Sequence, residues 1–294
     1  MRDLRALLLG PALLGACIAS PSAAPAPSPA PTTAPTPTPL PASPEPTILP
    51  TETCGEEVGR WVEFTYRGVA VNGDVPAHVY LPPCYDEVTL RYPVAFFLHG
   101  KPYTEDHWLD LGLAQAVEAA IKADGFPEAI LILPRLPEPI FSGSDGGPGS
   151  YESEFLEGLV PAVDRSFRTD GRPAARTIVG ISRGGVWALE IGFRHADLFG
   201  SVAALSPALA VNSARPAYDP LVLAREATAL PDRVLLAAGT DDWARRRTED
   251  LASLLEARNI SVERQMVEGA HVEATWHNLL PALLRFIAAA FANG

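Results

Sequence analysis

Four nearly continuous apolar runs constrain this chain more than any other feature: residues 93–98 (PVAFFL), 129–134 (AILILP), 176–181 (RTIVGI) and 233–238 (RVLLAA). They are short and lack polar alternation, which predicts strands covered on both faces. Residues 200–205 and 261–267 read as two further strands. Helical spacing fills the gaps. Phe155, Leu159, Val163 and Phe167 fall four apart; Val186, Leu189 and Phe193 share a face; so do Leu280, Leu284, Ile287 and Phe291. Pro161 inside the 152–167 pattern predicts a kink or a late start. Alternating strand and helix signals predict an open, doubly wound α/β sheet, mostly parallel, with helices on both faces. Ahead of it, residues 61–67 and 76–81 (PAHVYL) read as an N-terminal antiparallel hairpin.

Composition narrows what such a sheet can serve. The chain has 294 residues, 47% of them hydrophobic, enough for a core that is stable without metals or many disulfides. Its net charge of −12 argues against a nucleic-acid partner, which calls for a basic surface. The three Cys fit no zinc-ligand spacing.

The N-terminus reads as an export signal over residues 1–16. Arg2 and Arg5 precede the apolar run Ala6–Ala16, which is too short to span a bilayer. It ends in Leu14-Gly15-Ala16-Cys17, which resembles the bacterial lipobox: small residues admit the peptidase and the thiol of Cys17 carries a lipid. Residues 17–50 follow as a tether. Residues 18–50 hold 12 Pro and a single charge, Glu45, so they cannot bury enough apolar surface to order themselves. Where they are polyproline-like they extend roughly 3.1 Å per residue. Residues 51–294 are the expected folded domain, held extracytoplasmically at a bacterial membrane surface through the lipid. In that oxidising location Cys54 and Cys84 are expected to pair, closing a loop worth a few kcal/mol, the alternative being two separate thiols.

Chemistry concentrates in Gly180-Ile181-Ser182-Arg183-Gly184-Gly185, a Gly-x-Ser-x-Gly pattern between a strand and a helix signal. That is the sharp turn on which a nucleophilic Ser is presented, above a helix N-terminus that favours a developing anion. A Ser hydroxyl needs a base, and the base needs an orienting acid. Gly239-Thr240-Asp241-Asp242 follows one strand and Glu268-Gly269-Ala270-His271 the next. Asp241 or Asp242 is the candidate acid, with the other as a helix N-cap, and His271 is the candidate base. Phe97-Leu98-His99-Gly100-Lys101 follows the first central strand and can supply a backbone N–H to an oxyanion hole. Lys101 N–H is the candidate, with Gly100 its neighbour; Arg183 N–H is the second donor, and His99 reads as structural.

These pieces carry a resemblance. VYLPP at 79–83, FFLHG at 96–100, FLEGLVPAVDRSFRT at 155–169, GISRGG at 180–185, FRHADLFGSVAALSPAL at 193–209, GTDD at 239–242 and EGAHVEATW at 268–276 are similar to the esterase D / enterochelin-esterase-like group. That group of α/β-hydrolases also holds feruloyl and acetyl-xylan esterases. The resemblance spans residues 61–290 and implies an α/β-hydrolase fold and a Ser182–His271–Asp242 triad. It selects Asp242 as the last residue of a Gly-x-x-Asp loop. It implies hydrolysis of a small-molecule or polysaccharide-linked carboxylic ester, with no metal or organic cofactor. The chain departs from many relatives in HGKPYTEDHW, where they carry further glycines after His-Gly. Rival readings are an acyltransferase or peptidase on the same fold, or a surface binding protein without turnover.

Other residues have plainer readings. Arg183 either meets an acidic substrate or stands in solvent. Asp106, His107 and Asp110 read as a helix start rather than a metal site. Trp108, Trp187 and Trp276 read as core or pocket wall. Long Gly/Pro/Ser-rich loops at 135–150 and 207–220 should border the site and set specificity.

Overall fold

A computed structural model describes residues 55–123, 125–143 and 145–292. The predicted signal, Cys17, the 17–50 tether and Cys54 lie outside the described residues.

The strands are β1 (Arg60–Arg67), β2 (Asp74–Leu81), β3 (Val94–Leu98), β4 (Ile130–Pro134), β5 (Arg176–Ile181), β6 (Ser201–Leu205), β7 (Arg233–Gly239) and β8 (Ser261–Val267). They form one sheet in the order β1-β2-β4-β3-β5-β6-β7-β8. The expected hairpin is there: β1 pairs with β2 antiparallel, and β2 pairs antiparallel with β4. From β4 through β8 every pairing is parallel. β3, β4, β5 and β6 are buried along their whole length, as two-sided cover requires, whereas β8 at the edge is largely exposed.

Helices cover both faces. In chain order they are α1 (His107–Asp110), α2 (Leu113–Lys122), α3 (Ile140–Gly143), α4 (Tyr151–Ser153), α5 (Val160–Ser166), α6 (Arg183–Arg194), α7 (Pro220–Glu226), α8 (Arg245–Glu256) and α9 (Glu273–Ala292). No helix among the described residues is long and apolar enough to cross a membrane. One core lies on the α6 side, with Phe96, Phe155, Trp187 and Phe199; the other lies on the α9 side, with Phe97, Trp108, Trp276 and Phe286. Each such side chain contributes about 1.5–3 kcal/mol by leaving water.

The break expected at Pro161 takes a specific form. A π-helical stretch, Glu154–Leu159, separates α4 from α5, and Pro161 sits in the first turn of α5. The wider π turn accommodates a proline that an α-helix interior would reject. It also places the buried Glu154 carboxylate under the β1–β2 turn. There one oxygen accepts N–H bonds from Val69, Ala70 and Val71 at 2.9, 2.7 and 3.2 Å. Those bonds fix the turn that forms one wall of the cleft described below.

Strand order is what positions the site. β4 lies on one side of β3 and β5 on the other, so the connections diverge there, and ligands bind beyond the carboxyl ends of strands at such a point.

Candidate active site

Five neighbouring parallel strands each deliver a residue to the same edge of the sheet. Lys101 follows β3, Ser182 follows β5, Ser206 follows β6, Asp242 follows β7 and His271 follows β8. The chain separations are large, 89 residues between His271 and Ser182, so only the parallel register assembles them.

Ser182 links β5 to α6 with φ 54° and ψ −115°, a conformation that non-glycine residues rarely adopt. Its neighbours hold it there. Ser182 N–H donates to Leu205 O at 2.9 Å, and its carbonyl accepts from Val186 and Ala208 N–H at 3.2 and 3.0 Å. The turn is possible because Gly180 and Gly184 lack side chains. A Cβ on Gly180 would lie 2.2 Å from Gly184 O, and one on Gly184 would lie 2.3 Å from His99 O. The glycines of the Gly-x-Ser-x-Gly pattern therefore let β5, α6 and the β3 loop close on one another.

His271 joins the other two side chains. Its Nε2 lies 2.9 Å from Ser182 Oγ, and its Nδ1 lies 2.9 and 3.1 Å from the two oxygens of Asp242. With Nδ1–H donating to the carboxylate, Nε2 is left to accept from the hydroxyl. The imidazole is clamped between the tilted ring of Trp243 at 4.4 Å and the edge-on indole of Trp276 at 5.1 Å. Asp241, the alternative acid, is exposed, and its N–H donates to Gly269 O. Asp242 also receives Ala244 N–H on Oδ1 at 2.8 Å, so one carboxylate both caps the turn toward α8 and holds His271. Burial would raise the Asp242 carboxyl; bonds from His271, Ser206 and Ala244 N–H outweigh it and hold the group below its ordinary value.

The β3 loop meets Ser182 from the other side. Gly100 N–H donates to His107 Nδ1 at 3.3 Å, which leaves Lys101 N–H as the next donor along the loop. Arg183 opens α6, where backbone N–H groups carry the positive end of the helix dipole. His99 is structural, as expected: Nδ1–H donates to Gly100 O, and Nε2 accepts Leu136 N–H, both at 2.9 Å. Burial pushes His99 down to about 4. His107 opens α1, as its helix-start pattern implies, and it also supports the β3 loop. Its ring stacks on Tyr103 at 3.8 Å and stands edge-on to Trp276 at 5.7 Å. Burial, with a smaller push from His99, lowers it to about 3, so it stays neutral and able to accept from Gly100. No spacing marks that role in the sequence.

Arg183 departs from both of its expected roles. Its guanidinium donates to Phe141 O at 3.2 Å and Asn212 Oδ1 at 3.3 Å, and lies over the Trp187 ring at 4.8 Å. It bolts the 135–150 loop to the 207–220 loop, because both fold back over the start of α6. Trp187 adds a bond to Phe141 O at 3.0 Å. Asp106 turns its carboxylate to His78 at 2.7 Å rather than toward Asp110, and no metal-binding cluster occurs among the described residues. An open cleft of about 740 Å³ begins at Lys101 and runs past Tyr103, Arg135, Glu138 and Phe141 to the β1–β2 turn. Ser182, Asp242 and His271 do not line this cleft; the 135–150 loop comes beside Ser182 through the bonds of Leu136 to His99 and of Phe141 to Arg183.

The sheet order and the helices on both its faces are those of an α/β-hydrolase fold. Residues 68–287 match the family model described as "Putative esterase". The chain belongs to this esterase family. Over 153 residues it is 30% identical to an endo-1,4-beta-xylanase/feruloyl esterase of Xylanibacter ruminicola, covering 49% of this chain and 20% of that protein. A second curated relative, an uncharacterized protein of Corynebacterium glutamicum, is 29% identical over 42% of this chain and 30% of its own length. The chain therefore spans less than a third of these relatives. A ferulic acid esterase structure superimposes with a TM-score of 0.70 at 23% identity, covering 80% of this chain and 99% of that one. The S-formylglutathione hydrolase of Staphylococcus aureus superimposes at 0.68 with 16% identity, over 78% and 99%. Both likenesses concern the fold.

Proposed function

We propose that the protein is a serine esterase that cleaves carboxylic esters through an acyl-enzyme. The observation that carries this is the unbroken hydrogen-bonded line Ser182–His271–Asp242 at the carboxyl edge of the sheet. In the first step His271 Nε2 takes the Ser182 proton as Oγ attacks the ester carbonyl. The oxyanion is received by the Lys101 and Arg183 N–H groups, and the imidazolium by the Asp242 carboxylate. His271 then hands its proton to the leaving alcohol. Water repeats the sequence on the acyl-enzyme and releases the acid. Every proton moves through His271, and the chemistry of these groups calls for no metal or organic cofactor.

The named relatives include feruloyl esterases. The cleft from Lys101 to Phe141, lined by aromatic, proline and charged side chains, is of a size to receive a bulky ester such as a feruloylated saccharide. Export and tethering belong to the same reading. The N-terminal signal and Cys17 direct the enzyme out of the cell and onto the membrane surface, residues 17–50 carry the 51–294 domain away from it, and Cys54 pairs with Cys84.

Turnover of p-nitrophenyl acetate, then of a feruloyl, acetyl and siderophore ester panel, tests the chemistry. Ser182→Ala should lower kcat by about 10³-fold or more. Turnover at the wild-type rate in that variant refutes the reading, and transfer to an added alcohol or amine in preference to water would make it an acyltransferase. Mass spectrometry of the mature protein should find Cys17 acylated, and Cys54 and Cys84 resistant to alkylation before reduction. An unlipidated N-terminus further downstream, or two alkylated thiols, would count against those assignments.

A further inference from the structure

One of the two rings laid against His271 is half in water. Trp243 follows Asp242 in the turn between β7 and α8, and its indole lies 4.4 Å from the His271 ring at a tilt of 34°. Trp276, the other ring against that imidazole, is 3% exposed, whereas Trp243 is 48% exposed. Among the described residues Trp243 is the one aromatic ring in the set of exposed large hydrophobic side chains, and Val272, the residue after His271, belongs to the same set. The turn holds the indole in place from both sides. Asp242 N–H donates to Gly239 O at 3.2 Å, Ala244 N–H to Asp242 Oδ1 at 2.8 Å and Arg245 N–H to Asp242 O at 3.1 Å. A tryptophan pinned by its backbone and left open beside a reactive group points to a surface that meets a ligand.

Resting on the reading of Ser182, His271 and Asp242 as the triad, we propose that Trp243 is a specificity-determining residue, a platform on which the leaving alcohol of the ester packs when that alcohol is a ring, either a saccharide or an aryl group. The placement follows from the proton. His271 Nε2, 2.9 Å from Ser182 Oγ, hands its proton to the leaving oxygen, so that oxygen lies within hydrogen-bond reach of the imidazole. A ring joined to that oxygen is carried along the imidazole onto the neighbouring indole. Indole presents a broad negative face, and sugar C–H groups or an offset aryl ring pack on it through their positive hydrogens. A short alkyl chain covers little of that face. Trp243 does not line the cleft that begins at Lys101, so it gives the ester a second surface.

Trp243 also covers His271, and the two roles have opposite signatures across a set of acetate esters. A poorer clamp on His271 weakens proton delivery. That costs most for ethyl acetate, whose ethoxide is too basic to leave unprotonated, and least for p-nitrophenyl acetate, whose p-nitrophenolate leaves without a proton. Loss of a platform costs most for the esters of ring alcohols. The signal lies in kcat/KM, which covers only the acylation half in which the alcohol departs; the acetyl-enzyme and its hydrolysis are common to every acetate.

The test measures kcat/KM of the full chain on p-nitrophenyl acetate, an O-acetylated methyl xyloside and ethyl acetate. Wild type, Trp243→Leu, Trp243→Phe and Ser182→Ala are compared, with thermal melting of each. Trp243→Leu keeps an apolar cover over His271 and removes the ring. It should lose roughly 10-fold on at least one ring ester beyond its loss on ethyl acetate, and Trp243→Phe, with a smaller ring, should lose about threefold. Excess loss on both ring esters assigns the platform to ring shape; excess loss on one assigns it to the sugar or to the aryl group. Should Trp243→Leu not melt cooperatively, Trp243→Phe decides alone. Ratios among the esters that stay within about 1.5-fold of wild type, or a loss largest on ethyl acetate, overturn the proposal. Those outcomes leave the triad intact if Ser182→Ala is dead; a Ser182→Ala enzyme at the wild-type rate would instead remove the triad reading itself.

Discussion

Asp242 and Glu190 are both buried carboxyl groups, one at the acid position of the site and the other on α6 behind the elbow serine. Asp242 Oδ1 accepts Ala244 N–H at 2.8 Å, both carboxylate oxygens face His271 Nδ1, and the group is held below its ordinary value against burial. Glu190 has neither oxygen hydrogen-bonded among the described residues. Burial, and then the negative charge of Glu152, push it up to about 9 against the pull of Arg183 and Arg194. The loop at Gly146 packs closely over it: a Cβ on Gly146, whose φ is +102°, would fall 2.2 Å from Glu190 Oε1. Glu152 takes the partners that Glu190 lacks. It bonds Arg194 at 2.6 Å, His195 at 2.9 Å and Gly147 N–H at 2.6 Å, and lies near 2 although burial by itself would raise it. Burial depth therefore does not set the charge of a carboxyl group in this protein; the supply of directed donors does.

The contrast makes two predictions, the larger first. Asp242→Asn keeps the shape but removes the charge that orients and stabilises His271, and should lower kcat for p-nitrophenyl acetate by about 10³- to 10⁴-fold with little change in Tm. A loss below tenfold would break the comparison at its charged end. Glu190→Gln mimics a group that is already neutral, so its effect lies in pH dependence. The folded-state value of about 9 stands above the ordinary 4.5. The stability associated with Glu190 is thus fully present below about 4.5 and is lost as pH rises toward about 9, because the unfolded chain releases a proton that the folded chain keeps. Across that window the variant should gain on wild type by up to about 1.4 kcal/mol per pH unit. Melting temperatures at pH 5, 7 and 9 check this: equal at the low end, separating upward. Parallel curves would mean that Glu190 finds partners and resembles Asp242 after all.

The legibility of the molecule follows the same division. Apolar runs located the strands to within a residue or two, because two-sided burial favours apolar residues along them; β3 to β6 are buried throughout, and the few polar residues there, Arg176, Thr177 and Ser201, sit at strand starts. The elbow was legible because a tight turn against neighbouring backbone admits only glycine at 180 and 184. Ser206 was in plain view within ALSPAL and carried no signal, since its partner Trp276 lies 70 residues away. His107 looked like a helix start because its acceptor role exists only where the β3 loop folds over it. The role of Arg183 is hidden for a related reason: whether an arginine stands in solvent or bolts two loops depends on where the loops go.

What the sequence determined by itself was the alternation of elements, the turn that presents Ser182, and the candidates His271 and either Asp241 or Asp242. These follow from local rules, since burial period, proline and glycine geometry and strand-to-helix turns act over a few residues. The tertiary structure decided the strand order, and with it which loops share an edge and which of the two neighbouring aspartates meets His271. Those outcomes depend on distances between residues tens of positions apart, and hydrogen bonding and desolvation act only once packing has set those distances.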